Sequence, residues 1–114
     1  MQLAPPQVDY YKYARVISKL LELTQKNMLR WNSTGLIAYE TTYANTRVTL
    51  SAPALIGLGS PTDLQISIVF TDLQSNIPYT LYGLSGLSSL YQVVYEQTNP
   101  HAGLESILDR IITS

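Results

Sequence analysis

Apolar side chains recur near the start of the chain at the spacing of one helical face: Tyr13, Val16, Ile17, Leu20, Leu21 and Thr24. Lys12, Arg15, Ser18, Lys19, Glu22 and Lys26 fall largely on the opposite side. The pattern predicts a first helix from Tyr10, capped by Asp9, to about Asn27, which tolerates a left-handed terminal residue. The period then changes to two. Residues 36–43 are rich in β-formers, and residues 46–51 set Val48 and Leu50 against Arg47 and Thr49. Ala44-Asn45 between them suits a tight hairpin turn. Residues 63–71 alternate most cleanly, with Leu64, Ile66, Ile68 and Phe70 on one face and Gln65, Ser67 and Thr71 on the other. They predict a central strand. After a turn at 72–76, residues 77–82 predict a further strand. Pro78 has no amide hydrogen and places that strand's start or an edge there. Helical spacing returns in Leu87, Leu90, Tyr91 and Val94, over residues 87–97 with Ser85 as cap. It returns again in Leu104, Ile107, Leu108 and Ile111, where Asn99 is the expected cap and Pro100 the first helical residue.

Helix, strands, then helices reads as an α+β domain. The expected architecture is an N-terminal helix, an antiparallel β-meander of three to four strands, and two C-terminal helices packed on one sheet face. The other face would be wetted. Residues 1–8, stiffened by Pro5-Pro6, read as a tail, and residues 9–114 as one domain. Residues 52–62 read as a loop punctuated by two Gly and two Pro. The loop holds Leu55, Ile56 and Leu58. A segment so apolar either folds back on the core or is offered to a partner.

Charge adds to the picture. Only 13% of residues are charged, against ~25% in an average domain, so the polar surface is built from Ser, Thr, Asn, Gln and Tyr. A weakly charged surface favours association. The net charge of −1 gives no global attraction to nucleic acid or acidic membranes. The two halves differ, however. Residues 1–50 carry six Lys/Arg against three Asp/Glu, a local +3; residues 51–114 carry one Arg against five acids, a local −4. No run of 18 apolar residues predicts a membrane helix, and the first residues lack the basic and apolar regions of a signal peptide. The expected location is cytoplasmic.

The chemistry is sparse. There is no cysteine, hence no disulfide and no thiolate metal site. The single histidine, His101, precedes Glu105 by four residues, a two-group pair without a nucleophile or an orienting partner. The acids form no recognised ligand spacing. Gly57-Leu58-Gly59-Ser60 lacks the Lys-Ser/Thr of a P-loop and the third Gly of a dinucleotide motif. No catalytic residue, cofactor or metal is expected, and the chain reads as a non-enzyme.

What remains is suited to contact. Nine tyrosines stand against one phenylalanine, and tyrosine favours half-exposed positions and interfaces. The candidate interaction residues are Tyr10, Tyr11, Trp31, Leu55, Ile56, Leu58, Tyr79 and Tyr82. Trp31 also suits closing the end of a core. The order of signals resembles a group of small bacterial proteins of unknown function. The resemblance is carried by Lys26 through Trp31, Leu87-Ser88-Ser89-Leu90-Tyr91 and Leu104-Glu105-Ser106-Ile107-Leu108-Asp109. It implies the same topology and no activity.

The leading expectation is a protein-interaction module, an accessory or regulatory subunit or a homo-oligomer, with another protein or a second copy as partner. The alternative is a nucleic-acid accessory protein using a basic face of the first helix: Lys12, Arg15, Lys19, Lys26 and Arg30.

Overall fold

The structure, a computed structural model, describes residues 10–35, 37–52 and 61–114, and within them all side chains except those of Tyr10, Pro100, Ala102, Gly103 and Ser106. The N-terminal tail, the Asp9 cap and the segment with Leu55, Ile56 and Leu58 lie outside the described residues.

The first amphipathic pattern forms helix α1, Tyr10–Gln25. Ile17, Leu20, Leu23 and Thr24 are its buried face. It ends in a Schellman turn. Asn27, at φ 57°, donates its amide to Thr24 O, and the Met28 amide reaches Leu23 O at 2.9 Å. A short strand β1, Asn32–Ser33, follows, then β2, Ala38–Tyr43, and β3, Thr46–Ser51. Ala44 and Asn45 both have positive φ, the two-residue turn whose twist matches paired strands. Strands β4, Ser67–Asp72, and β5, Ile77–Tyr82, complete an antiparallel sheet in the order β1-β2-β3-β4-β5. The sheet thus has five strands, with β1 as a two-residue addition that no alternation announces. Pro78 lies in edge strand β5, as its missing donor requires.

The strand expected from residue 63 begins only at 67. Asp63–Gln65 form a single 3-10 turn, closed by a capping box between Thr62 and Gln65. Leu64, expected on the core face, is 84% exposed. The reason is tertiary. Asp63 Oδ1 accepts the Ser88 amide at 2.7 Å and Oδ2 the Gly86 amide at 3.3 Å. Its carboxylate therefore caps helix α2, Leu87–Thr98. Ser85 is not that cap. The N-cap position is Gly86, at φ 92°, where a Cβ would come within 3.2 Å of Ile17 Cγ2.

Register places Tyr39, Leu50, Ile68 and Leu81 in one row across the sheet and Thr41, Val48, Phe70 and Tyr79 in the next. These rows face α1 and α2. Leu50, Ile66, Ile68, Leu87, Leu90 and Val94 are wholly buried between them. The opposite face carries Thr42, Thr49, Ser51, Ser67, Thr80 and Tyr82, with Glu40 and Arg47. Helix α3, Pro100–Thr113, departs from the expected arrangement. It meets chiefly α2, and each of its described side chains is exposed. The molecule is elongated, 61 × 26 × 26 Å.

Candidate interaction surface

Trp31 is buried, at 4% exposure, and offers no face to a partner. Its indole N–H donates to Thr24 Oγ1 at 2.9 Å, and Thr24 in turn donates to Leu20 O. Its backbone amide donates to Gln97 Oε1, and Gln97 Nε2 returns a bond to Leu29 O. The residue ties the end of α1 to the end of α2. That is the core-closing role, and Trp31 leaves the set of contact candidates. Every buried side-chain nitrogen or oxygen among the described residues has a partner.

Tyr11, Tyr79 and Tyr82 are exposed, but they do not share one surface. Tyr79 lies on the helix-covered face of β5, whereas Tyr82 points to the open face. Tyr11 lies on the outer side of α1, beside Arg15 and Tyr43, in a shallow hollow of about 850 Å³. Tyr10 begins α1. The expected basic face divides in the same way. Lys12, Arg15 and Lys19 flank that hollow. Lys26 pairs with Glu22 at 2.9 Å, which holds the Glu22 carboxyl below its usual range. Arg30, past the helix, borders a separate polar depression with Asn32 and Glu40.

Two apolar surfaces stand out among the described residues. Between α1 and edge strand β5 runs a groove of about 650 Å³. Val16, 37% exposed, and Tyr13 come from α1, Phe70 and Leu81 from the sheet, and Leu84 from the turn before α2. Lys12 stands at its lip, and Tyr79 forms a wall. The second is α3. Leu104, Ile107, Leu108 and Ile111 are 50%, 47%, 43% and 66% exposed, and Ile112 extends the stripe. A helix packed on the sheet, as expected of α3, would have buried these four. Nothing local in the sequence distinguishes them from the α2 stripe.

His101 Nε2 and Glu105 Oε1 are 4.0 Å apart and both side chains are open to solvent. Among the described residues no three His, Cys, Asp or Glu side chains cluster as metal ligands, and no helix is long and apolar enough to cross a membrane. No protein-family model, curated protein or solved structure matches the chain.

Proposed function

We propose that this protein is an interaction module that acts without catalysis, and that α3 is its binding element. The observation that carries this reading is the continuous apolar stripe Leu104–Ile107–Leu108–Ile111 on a helix whose described side chains are all exposed. A helix read at i, i+3, i+4 and i+7 is a common recognition element for a hydrophobic groove. Leaving such a stripe in water forgoes about 1.5–3 kcal/mol per fully buried aliphatic side chain. Helix α2 buries the equivalent stripe, Leu87, Leu90, Tyr91 and Val94, whereas that of α3 is left for a partner to cover. The low charge density of the surface supports the same reading.

The test is affinity capture from source lysate, after nuclease treatment, with the wild-type chain and with Ile107→Ser/Ile111→Ser. A stoichiometric protein held by the wild type and lost by the variant is the expected result. Equal capture by both removes α3 from the role. Capture abolished by nuclease alone favours a nucleic-acid partner held by Lys12, Arg15 and Lys19.

A further inference from the structure

The two edges of the sheet differ. Strand β1 ends after two residues, whereas β5 runs for six and carries no charged side chain. Short length, charged side chains and proline are the usual means of keeping a strand edge from pairing. Of these, β5 has only Pro78, near its start.

Register shows which backbone groups this edge presents. Gly83 N donates to Ile66 O at 3.1 Å, and that bond sets the phase of the β4–β5 ladder. Opposed residues of an antiparallel pair alternate between bonded and non-bonded. Leu81 therefore bonds Ile68, Tyr79 bonds Phe70, and Ile77 bonds Asp72. Pro78, Thr80 and Tyr82 aim their backbone groups away from β4, and all three are exposed. The missing donor of Pro78 thus breaks no bond within the sheet. Thr80 and Tyr82 each present an N–H and a C=O, repeated about 7 Å apart along the strand. Among the described residues nothing bonds to these groups.

The α1–β5 groove opens beside this edge, on the helix-covered face. A strand added to β5 would lie about 4.8 Å beyond it. Every second side chain of that strand would enter the groove next to Tyr79 and Leu81, against Tyr13 and Val16. The residues between would face the open side with Thr80 and Tyr82 and make the backbone bonds. We propose that the β5 edge and the groove form one site for an extended peptide segment of a partner protein, with apolar residues at alternate positions. Outward donors and acceptors at strand spacing select an extended main chain, because a helix satisfies its own backbone groups. The groove then selects among side chains. The site goes beyond the α3 reading and is independent of it: α3 offers a helix to a partner's groove, and β5 accepts a partner's strand.

Hydrogen exchange and peptide selection on the purified full chain test this. In the free protein the Thr80 and Tyr82 amides should exchange fast, while those of Tyr79 and Leu81 are protected. Selection from phage-displayed random decapeptides should enrich sequences with alternate apolar residues. A synthetic copy of an enriched peptide should protect the Thr80 and Tyr82 amides. N-methylation of a peptide residue between the apolar ones should weaken binding by about tenfold, whereas N-methylation of an apolar one should leave it unchanged. Thr80→Pro removes an outward donor and no ladder bond, so it should lose binding with an unchanged circular dichroism spectrum. Val16→Glu, which blocks the groove from α1, gives the same readout where T80P disturbs β5. Ile107→Ser/Ile111→Ser should bind the peptide as the wild type does, so this site and the α3 reading fail separately.

A selection that enriches no peptide overturns the proposal, as do peptides that bind T80P and V16E as well as the wild type. Thr80 and Tyr82 amides already protected in a dilute monomer would show that the chain covers its own edge, and overturn it too. Protection that appears only as the chain dimerises would assign the edge to a second copy and overturn the partner peptide as its occupant.

Discussion

Helices α2 and α3 follow one another through Asn99 and carry the same apolar spacing. Leu87, Leu90, Tyr91 and Val94 in one correspond position for position to Leu104, Ile107, Leu108 and Ile111 in the other. The first four are buried, and the second four lie on the surface. Their starts differ as well. The α2 start is held from a distant segment by the Asp63 carboxylate, while α3 receives no side-chain cap. Equal amphipathicity therefore has two outcomes. Where other elements wrap a stripe and cap its helix, the stripe becomes core; where none do, it becomes a surface.

The largest consequence is for stability. Leu90→Ala empties space inside a close-packed core and should cost about 2–5 kcal/mol. Leu108→Ala, its equivalent one helix on, should change the stability of the folded body by less than about 0.5 kcal/mol. Urea denaturation of both variants, under conditions where the chain is monomeric, gives the two values. Similar losses would mean that α3 is packed as firmly as α2.

Alkaline pH sharpens the contrast next. Tyr91 is buried on α2, edge-on to Tyr39 with ring centroids 5.5 Å apart, and its hydroxyl points to Ile37 O at a long 3.3 Å. Burial first, and then the neighbouring Tyr39, pushes its pKa up from 10.0 to about 12. The folded state therefore holds the proton more tightly than the unfolded chain. Stability is intact below pH 10 and is lost as pH rises from about 10 to about 12, by on the order of 2 kcal/mol. Tyr91→Phe should flatten that decline in a denaturation series from pH 9 to pH 12. A wild-type curve that matches the variant would show the hydroxyl to be solvated.

The Asp63 cap is the third point of difference. Asp63→Ala frees the Ser88 and Gly86 amides at the α2 start and should cost about 1 kcal/mol at neutral pH. Those amides hold the Asp63 carboxyl below its ordinary value of 3.8, the Ser88 amide most of all. Because the folded pKa is the lower one, the stabilisation is complete above about pH 4. It is lost as pH falls through the folded value. The gap between wild type and D63A should therefore narrow on the acid side. A gap constant down to pH 2 would mean that the charge contributes nothing.

Local chemistry is what made parts of this fold legible. Ile17 and Leu20 mark the α1 face, Asn27 its left-handed end, Ala44-Asn45 the hairpin turn and Pro78 the edge strand, each through interactions within a few residues. What was hidden depends on partners far along the chain. Leu64 extends the alternation of Ile66, Ile68 and Phe70, yet its neighbour Asp63 is committed to amides 23 and 25 residues away, and this bends the segment into a 3-10 turn. Trp31 suited both a core and an interface until Thr24 and Gln97 were seen to satisfy it. The α1–β5 groove joins Val16 to Phe70 and Leu81, a juxtaposition that only the tertiary fold creates. The exposure of α3 is hidden most deeply, because periodicity identifies a stripe and says nothing of what covers it.

Asn99 offers the finest test, since it stands between the two helices. By sequence it should cap α3, ahead of Pro100. Its side chain instead turns back, and Nδ2 donates to Tyr95 O at 2.9 Å. That carbonyl already accepts the Asn99 amide at 2.9 Å and the Thr98 hydroxyl at 3.2 Å. The side-chain bond is thus a third contact to one exposed carbonyl, and Asn99→Ala should cost no more than about 0.5 kcal/mol. Hydrogen exchange separates the helices: amides of α2 should keep their protection in N99A, and those of α3 should exchange as in the wild type. A loss comparable to that of D63A would show that the start of α3 relies on Asn99. The helix would then fold cooperatively with the body, and its exposed stripe would be held in place before any partner arrives.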